Sequence, residues 1–222
     1  MKILKKIAIG FIILIAVFAA VGLLIPKISN VERSLVIQAP AEVIFQQVND
    51  LKKNEAWSPW KDSTMKISYG PVTEGKGASY SWQSEKMGKG TQTIEESVPA
   101  SLIKVDLNFG SMGTAKAAWN FAPEGDGVKV TQSMTSDAGM NPAKRWMSLL
   151  TDKMVGPMFE KGLASLKQVS ETRAAEIQAE HAATMQAAAA PVEEAVSAGA
   201  AAIGTPAASS ATPVIPPVHK TP

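Results

Sequence analysis

The spacing of apolar residues changes period three times along the chain. Residues Ile7 to Ile25 run 19 positions without a charge or a strongly polar group. As a helix that run spans roughly 28 Å, about the hydrocarbon thickness of a bilayer. VERSLVIQ (31–38) then predicts a strand. Pro40 opens a helix at a position where its missing N–H costs nothing, and Val43, Ile44, Phe45 and Val48 recur at helical spacing. Asn49-Asp50 ends that helix, and LKKNEAW (51–57) predicts a short second one. From Met65 the period falls to two. Met65, Ile67 and Tyr69 share a face, as do Ala78, Tyr80 and Trp82. Ile103, Val105, Leu107 and Phe109 form another such face, followed by Ala117, Trp119 and Phe121, then Val128, Val130 and Met134. Glycine and proline turn signals separate these runs, among them Gly70-Pro71, Gly88/Gly90, Val98-Pro99 and Pro123 to Gly127. Alternation without intervening helices predicts an antiparallel meander with one buried and one wet face. After Asn141-Pro142 the period returns to 3.6. Trp146, Met147, Leu150, Met154, Met158, Leu163 and Leu166 mark its apolar stripe, which Gly156-Pro157 should break or kink.

The order is strand, two short helices, six strands and a long helix. It predicts an α+β fold in which a curved antiparallel sheet of about seven strands wraps the long C-terminal helix. Three segments follow: a transmembrane anchor (1–26), the folded domain (27–170) and an Ala/Pro-rich tail (171–222). Lys2, Lys5 and Lys6 precede the apolar run, so the positive-inside rule puts the N-terminus in the cytoplasm. The domain is then expected outside the cytoplasm, held at the inner membrane. A cleaved signal peptide is the alternative, but the small-residue candidate Ala20-Val21-Gly22 lies inside the run, which is longer than signal peptides carry. In the tail, 17 of 52 residues are Ala and six are Pro. Its first part is expected to continue a helix and the part beyond Pro191 to be disordered.

Charge and composition narrow the chemistry. Residues 27–170 carry 17 bases and 15 acids, so no basic stripe announces nucleic acid. Cysteine is absent, which excludes disulfides, thiolate metal sites and a thiol nucleophile. Both histidines, His181 and His219, fall in the tail, so the domain offers no imidazole to a triad or a zinc ion. No metal or cofactor is expected, and the sequence names no protein partner. Among the acids, Asp106 and Glu95-Glu96 read as solvated, while Glu32, Glu55 and Asp137 are the candidates for an inward position. No pair of them announces a catalytic dyad.

The segment VERSLVIQAPAEVIFQQVNDLKKNEAWSPW resembles the polyketide cyclase/dehydrase-like members of the SRPBCC (START-like, pollen-allergen-like) superfamily. MKISYGPVTEGKGASYSWQSEKMGKGTQTIEESVPASLIKVDLNFG and the closing MVGPMFEKGLASLK resemble the same family, so the likeness covers residues 31–169. It implies a helix-grip fold with a hydrophobic cavity, and little about reaction, because the superfamily includes lipid carriers, cyclases, hormone receptors and oxygenase subunits. The cavity residues expected are Trp57, Trp60, Tyr69, Tyr80, Trp82, Trp119, Phe121, Met134, Met154 and Met158, with Trp57 and Trp60 at a lip. The same aromatics also suit plain core packing. The leading expectation is a membrane-tethered binding protein for a hydrophobic small molecule or lipid, anchored through Ile7–Ile25. The alternatives are a cyclase- or hydrolase-like enzyme on an apolar substrate, or a protein-interaction module with a filled core.

Overall fold

Strand β1 (Ile28–Ile37) joins the end of the meander rather than its beginning. It pairs antiparallel with β7 (Gly127–Asp137), from Ile28 opposite Asp137 to Ile37 opposite Val128. The order then steps back through β6 (Thr114–Glu124), β5 (Leu102–Asn108), β4 (Gly88–Val98), β3 (Ser79–Ser84) and β2 (Lys66–Tyr69), all antiparallel. A bulge between Ile94 and Glu96 shifts the register of β4 on β5. Helices α2 (Ala41–Asn49) and α3 (Asn54–Trp57) carry the chain from one edge of the sheet to the other. The computed structural model describes residues 2–201. Before the sheet lies α1 (Lys2–Leu24), a helix long and apolar enough to cross a membrane.

The two-residue periodicity sorts the strands as expected. Val31, Ile37, Ile94, Ile103, Val105, Trp119, Phe121, Val128 and Val130 are buried on the concave face. Ile44, Phe45 and Val48 of α2 cover them from one end. The helical segment divides into α4 (Pro142–Ser148) and α5 (Thr151–Ala201). The interruption therefore falls at Leu149-Leu150, and Gly156-Pro157 lies within α5. Pro157 removes the bond to the carbonyl of Lys153, an exposed residue, so the loss falls on a carbonyl at the solvent edge. Gly156 has a structural use there: a Cβ on it would collide with the Arg33 guanidinium of β1. The buried positions of α5, among its described side chains, are Gly156, Phe159, Gly162, Leu163, Leu166, Ser170 and Ala174. The helix thus continues past the start of the Ala-rich segment and past Pro191; the disorder expected of residues 202–222 falls outside the described residues.

Candidate functional site

At the α2/α3 end the concave face is filled. Trp57 closes α3 pointing inward, and its indole N–H donates to the Gln47 carbonyl at 2.9 Å. That carbonyl sits in the last turn of α2, where helices leave acceptors unserved. Trp57 meets Trp119 edge-to-face at 5.3 Å, and Phe121 meets Phe45 at 5.7 Å. These three residues of the expected cavity wall expose at most 6% of their surface and pack with Leu163 and Leu166. Trp60 differs, being 40% exposed. Between the two tryptophans, Pro59 rests on α5, its Cδ 3.1 Å from where a Cβ on Gly162 would lie.

Toward the other edge the concave face carries a row of half-buried rings. Tyr69 lies 6.1 Å from Tyr80, Tyr80 lies 6.0 Å from Trp82, and Trp82 lies 5.8 Å from Phe109. Register builds the row, because Tyr69 stands opposite Tyr80, and Trp82 opposite Gly90. Gly90 lacks the side chain that would otherwise occupy the space the indole takes. Both phenols are hydrogen-bond donors: Tyr80 to Gln92 at 3.2 Å and Tyr69 to Glu55 at 2.7 Å. Burial pushes the Tyr80 hydroxyl up to about 12. Tyr69 is raised as well, by burial first and by the Glu55 carboxylate second. Each therefore stays protonated at neutral pH. Met134 of β7 and Met158 of α5 are half-buried. Met154 is 62% exposed because it lies two residues, about 200° around the helix, from the sheet-facing Gly156.

The sequence model of the family described as polyketide cyclase / dehydrase and lipid transport matches residues 29–171. The chain belongs to this family. It is thereby a member of the SRPBCC superfamily, with a helix-grip fold. Solved structures agree on the fold. A protein of unknown function from Staphylococcus aureus, 14% identical, aligns over 66% of this chain and 96% of its own with a TM-score of 0.53. The di-domain ARO/CYC StfQ of the steffimycin biosynthetic pathway, 11% identical, aligns over 67% of this chain and 52% of its own at 0.52. Truncated norcoclaurine synthase from Thalictrum flavum, 14% identical, aligns over 65% and 92% at 0.51. A search of the curated proteins finds no match.

The polar groups of this SRPBCC grip are few and mostly engaged. Arg33 points inward in β1 and binds Asp152 at 2.9 Å and Glu160 at 2.8 Å, tying β1 to the first turns of α5. The guanidinium bond holds the Asp152 carboxyl below its ordinary range. Next to Arg33 in the register stands Gln132, whose side-chain oxygen is buried without a partner. Glu55 is the expected acid that reaches the concave rim, through Tyr69. Asp106 and Glu95 instead share Lys116 on the outer face, at 2.7 and 3.5 Å. Two open depressions, of about 520 and 150 Å³, lie mainly on that outer face; the larger is lined by polar residues such as Lys66, Gln83 and Lys89 and reaches Trp82 and Gly90. Among the described residues no group of three metal-ligating side chains converges. The sequence places Phe109 on an apolar strand face but not among the cavity residues, and it gives no role to Gln92 or Arg33. Arg33 shares the parity of Val31 and Leu35, so alternation alone could have flagged it.

Proposed function

We propose that this SRPBCC domain binds a hydrophobic small molecule or a lipid acyl chain on its concave face, beside the covering helix. The observation that carries the reading is the row Tyr69–Tyr80–Trp82–Phe109, apolar surface left half-covered on the face that the rest of the fold buries. Met134 and Met158 complete an adaptable wall, Trp60 forms its rim, and the packed Trp57, Trp119 and Phe121 form its floor. Each methylene buried there contributes about 0.8 kcal/mol, so a chain of moderate length binds without a charged partner. The two protonated phenols, their own protons donated to Glu55 and Gln92, offer a polar end of the ligand acceptor oxygens rather than a proton-abstracting base. The family's description, which includes lipid transport, supports the same reading. In the same reading helix α1 tethers the domain to the inner membrane, its N-terminus in the cytoplasm and the domain on the far side, an orientation that the three lysines before the span support.

The test is extraction and mass spectrometry of what co-purifies with the full chain, wild type against Ala117→Trp. Ala117 sits on the concave face between Val105 and Met134, so an indole there fills the space a ligand needs. The reading predicts an apolar molecule enriched over bulk lipid in the wild type and lost in the variant, with unchanged circular dichroism. Equal extracts from both proteins contradict it and favour a protein-interaction module with a filled core.

A further inference from the structure

Helix α4 makes its main contacts away from the sheet. It packs on the membrane-length helix instead. The Trp146 ring stacks on Phe18 at 5.0 Å and 11°, and its indole N–H donates to the Phe18 carbonyl at 3.1 Å. Gly22 is the buried residue of α1, and a Cβ there would stand 2.9 Å from Pro142 and from the Trp146 ring nitrogen. Arg145, itself buried, donates to the carbonyls of Leu23 and Ile25 and, at 2.8 Å, to that of Gly139. A cation here answers the unserved carbonyls and negative end of α1.

Depth follows from this docking. Phe18 lies seven residues before the end of the apolar run at Ile25, about 10 Å down a helix axis. If Ile7–Ile25 fills the hydrocarbon, a helix packed against Phe18 and Gly22 is inside the leaflet on the domain's side. The surface of α4 and the elbow after it fits that place. Met140 is 75% exposed, Met147 57%, Leu149 55%, Leu150 45% and Met154 62%. In water such a cluster would be a liability, and it is continuous with the exposed apolar surface of α1. Exposed Lys27, Lys144 and Lys153 border it, suited to headgroup phosphates, while the nearby Asp152 is already taken by Arg33.

We propose that α4 and the α4–α5 elbow form a second membrane contact, an amphipathic wedge lying in the outer part of the bilayer beside α1, with Met140, Met147, Leu149, Leu150 and Met154 in lipid. The domain is then fixed against the membrane rather than swinging on a leash. This inference rests on α1 being membrane-embedded, and the experiment separates the two claims. The chain has no cysteine, so single cysteines report one site each. Ile13→Cys, Met147→Cys, Leu149→Cys and Lys129→Cys are labelled with an environment-sensitive fluorophore. Each full-length protein is reconstituted into phosphatidylcholine–phosphatidylglycerol vesicles containing spin-labelled lipid. Lys129 lies eight residues up β7 from Asp137, about 27 Å from the membrane end, and serves as the dry-land control. Labels at 147 and 149 should shift to the blue and be quenched several-fold more than the label at 129, most strongly by spin labels near the headgroup. The label at 13 should respond most to spin labels deep in the chains. Quenching at 13 with none above the 129 control at 147 and 149 overturns the wedge and leaves the anchor standing. No quenching at 13 overturns both.

Discussion

The two tryptophans of the WSPW segment should differ in energetic weight far more than their spacing suggests. Trp57 is 5% exposed and Trp60 40%. Burying a tryptophan removes roughly 150–250 Å² from water, worth about 4–6 kcal/mol as an upper bound at 25 cal/mol per Å². Truncation leaves a cavity against Trp119, and such changes cost about 3–5 kcal/mol. Trp57→Phe keeps a ring in place but strips the Gln47 carbonyl of its donor, a loss of about 1–3 kcal/mol. Trp60→Ala removes no buried contact of comparable size and should stay within about 0.5 kcal/mol. The assay is equilibrium urea unfolding of the full chain in mild detergent, followed by far-UV circular dichroism, with α1 a constant background in the micelle. Midpoints should fall in the order wild type, then Trp60→Ala close by, Trp57→Phe and Trp57→Ala. Equal shifts for the two alanine variants would refute the assignment of Trp57 to the core.

The glycine under Pro59 gives a second series. Gly162→Ala gains about 1 kcal/mol of helix propensity against a 3.1 Å contact that Pro59 must relax, whereas Gly162→Leu adds three more carbons and should destabilise by about 1–3 kcal/mol in the same titration. A leucine variant as stable as the alanine variant would show that the loop does not rest on α5. The Arg33 clamp predicts a pH dependence. The folded Asp152 carboxyl is depressed, so its contribution is complete above its unfolded value near 4 and is lost as pH falls through the folded value. The midpoint difference between wild type and Arg33→Met should be constant near neutrality and shrink below about pH 4. A difference that grows on acidification contradicts the pairing. For the anchor, a C-terminal tag should be digested by protease added to spheroplasts, and the intact mass should include α1. Protection of the tag contradicts the orientation, and a mass matching cleavage near Gly22 contradicts the anchor alone.

Much of this fold was legible because alternation is a direct record of which face each strand residue meets. Ile103, Val105 and Leu107, or Trp119 and Phe121, can only be read one way once a single face is buried. The long helix was harder. Its stripe ran from Trp146 to Leu166 as one phase, but the break at Leu149-Leu150 resets the phase, so Trp146 turns to α1 and Met154 to the outside. Periodicity carries no information about which neighbour a stripe faces. The same limit separated Trp57 from Trp60, since the direction of a four-residue helix is set by its packing on α2 and β6, not by its own residues. Arg33 illustrates the converse. A charge at inward parity required acids from across the fold, and these came from Asp152 and Glu160, each more than a hundred residues away.

The central claim is that lipid or a similar apolar molecule occupies the concave face, and site-mapped photocrosslinking tests it most directly. Full-length protein in native membranes is exposed to a phospholipid carrying a diazirine on its acyl chain, irradiated, and digested for mass spectrometry. The account predicts adducts on the strands bearing Tyr69, Tyr80, Trp82 and Phe109, reduced in Ala117→Trp, in addition to those that bulk lipid leaves on α1. Adducts confined to α1 and α4, with none on the sheet, would contradict it.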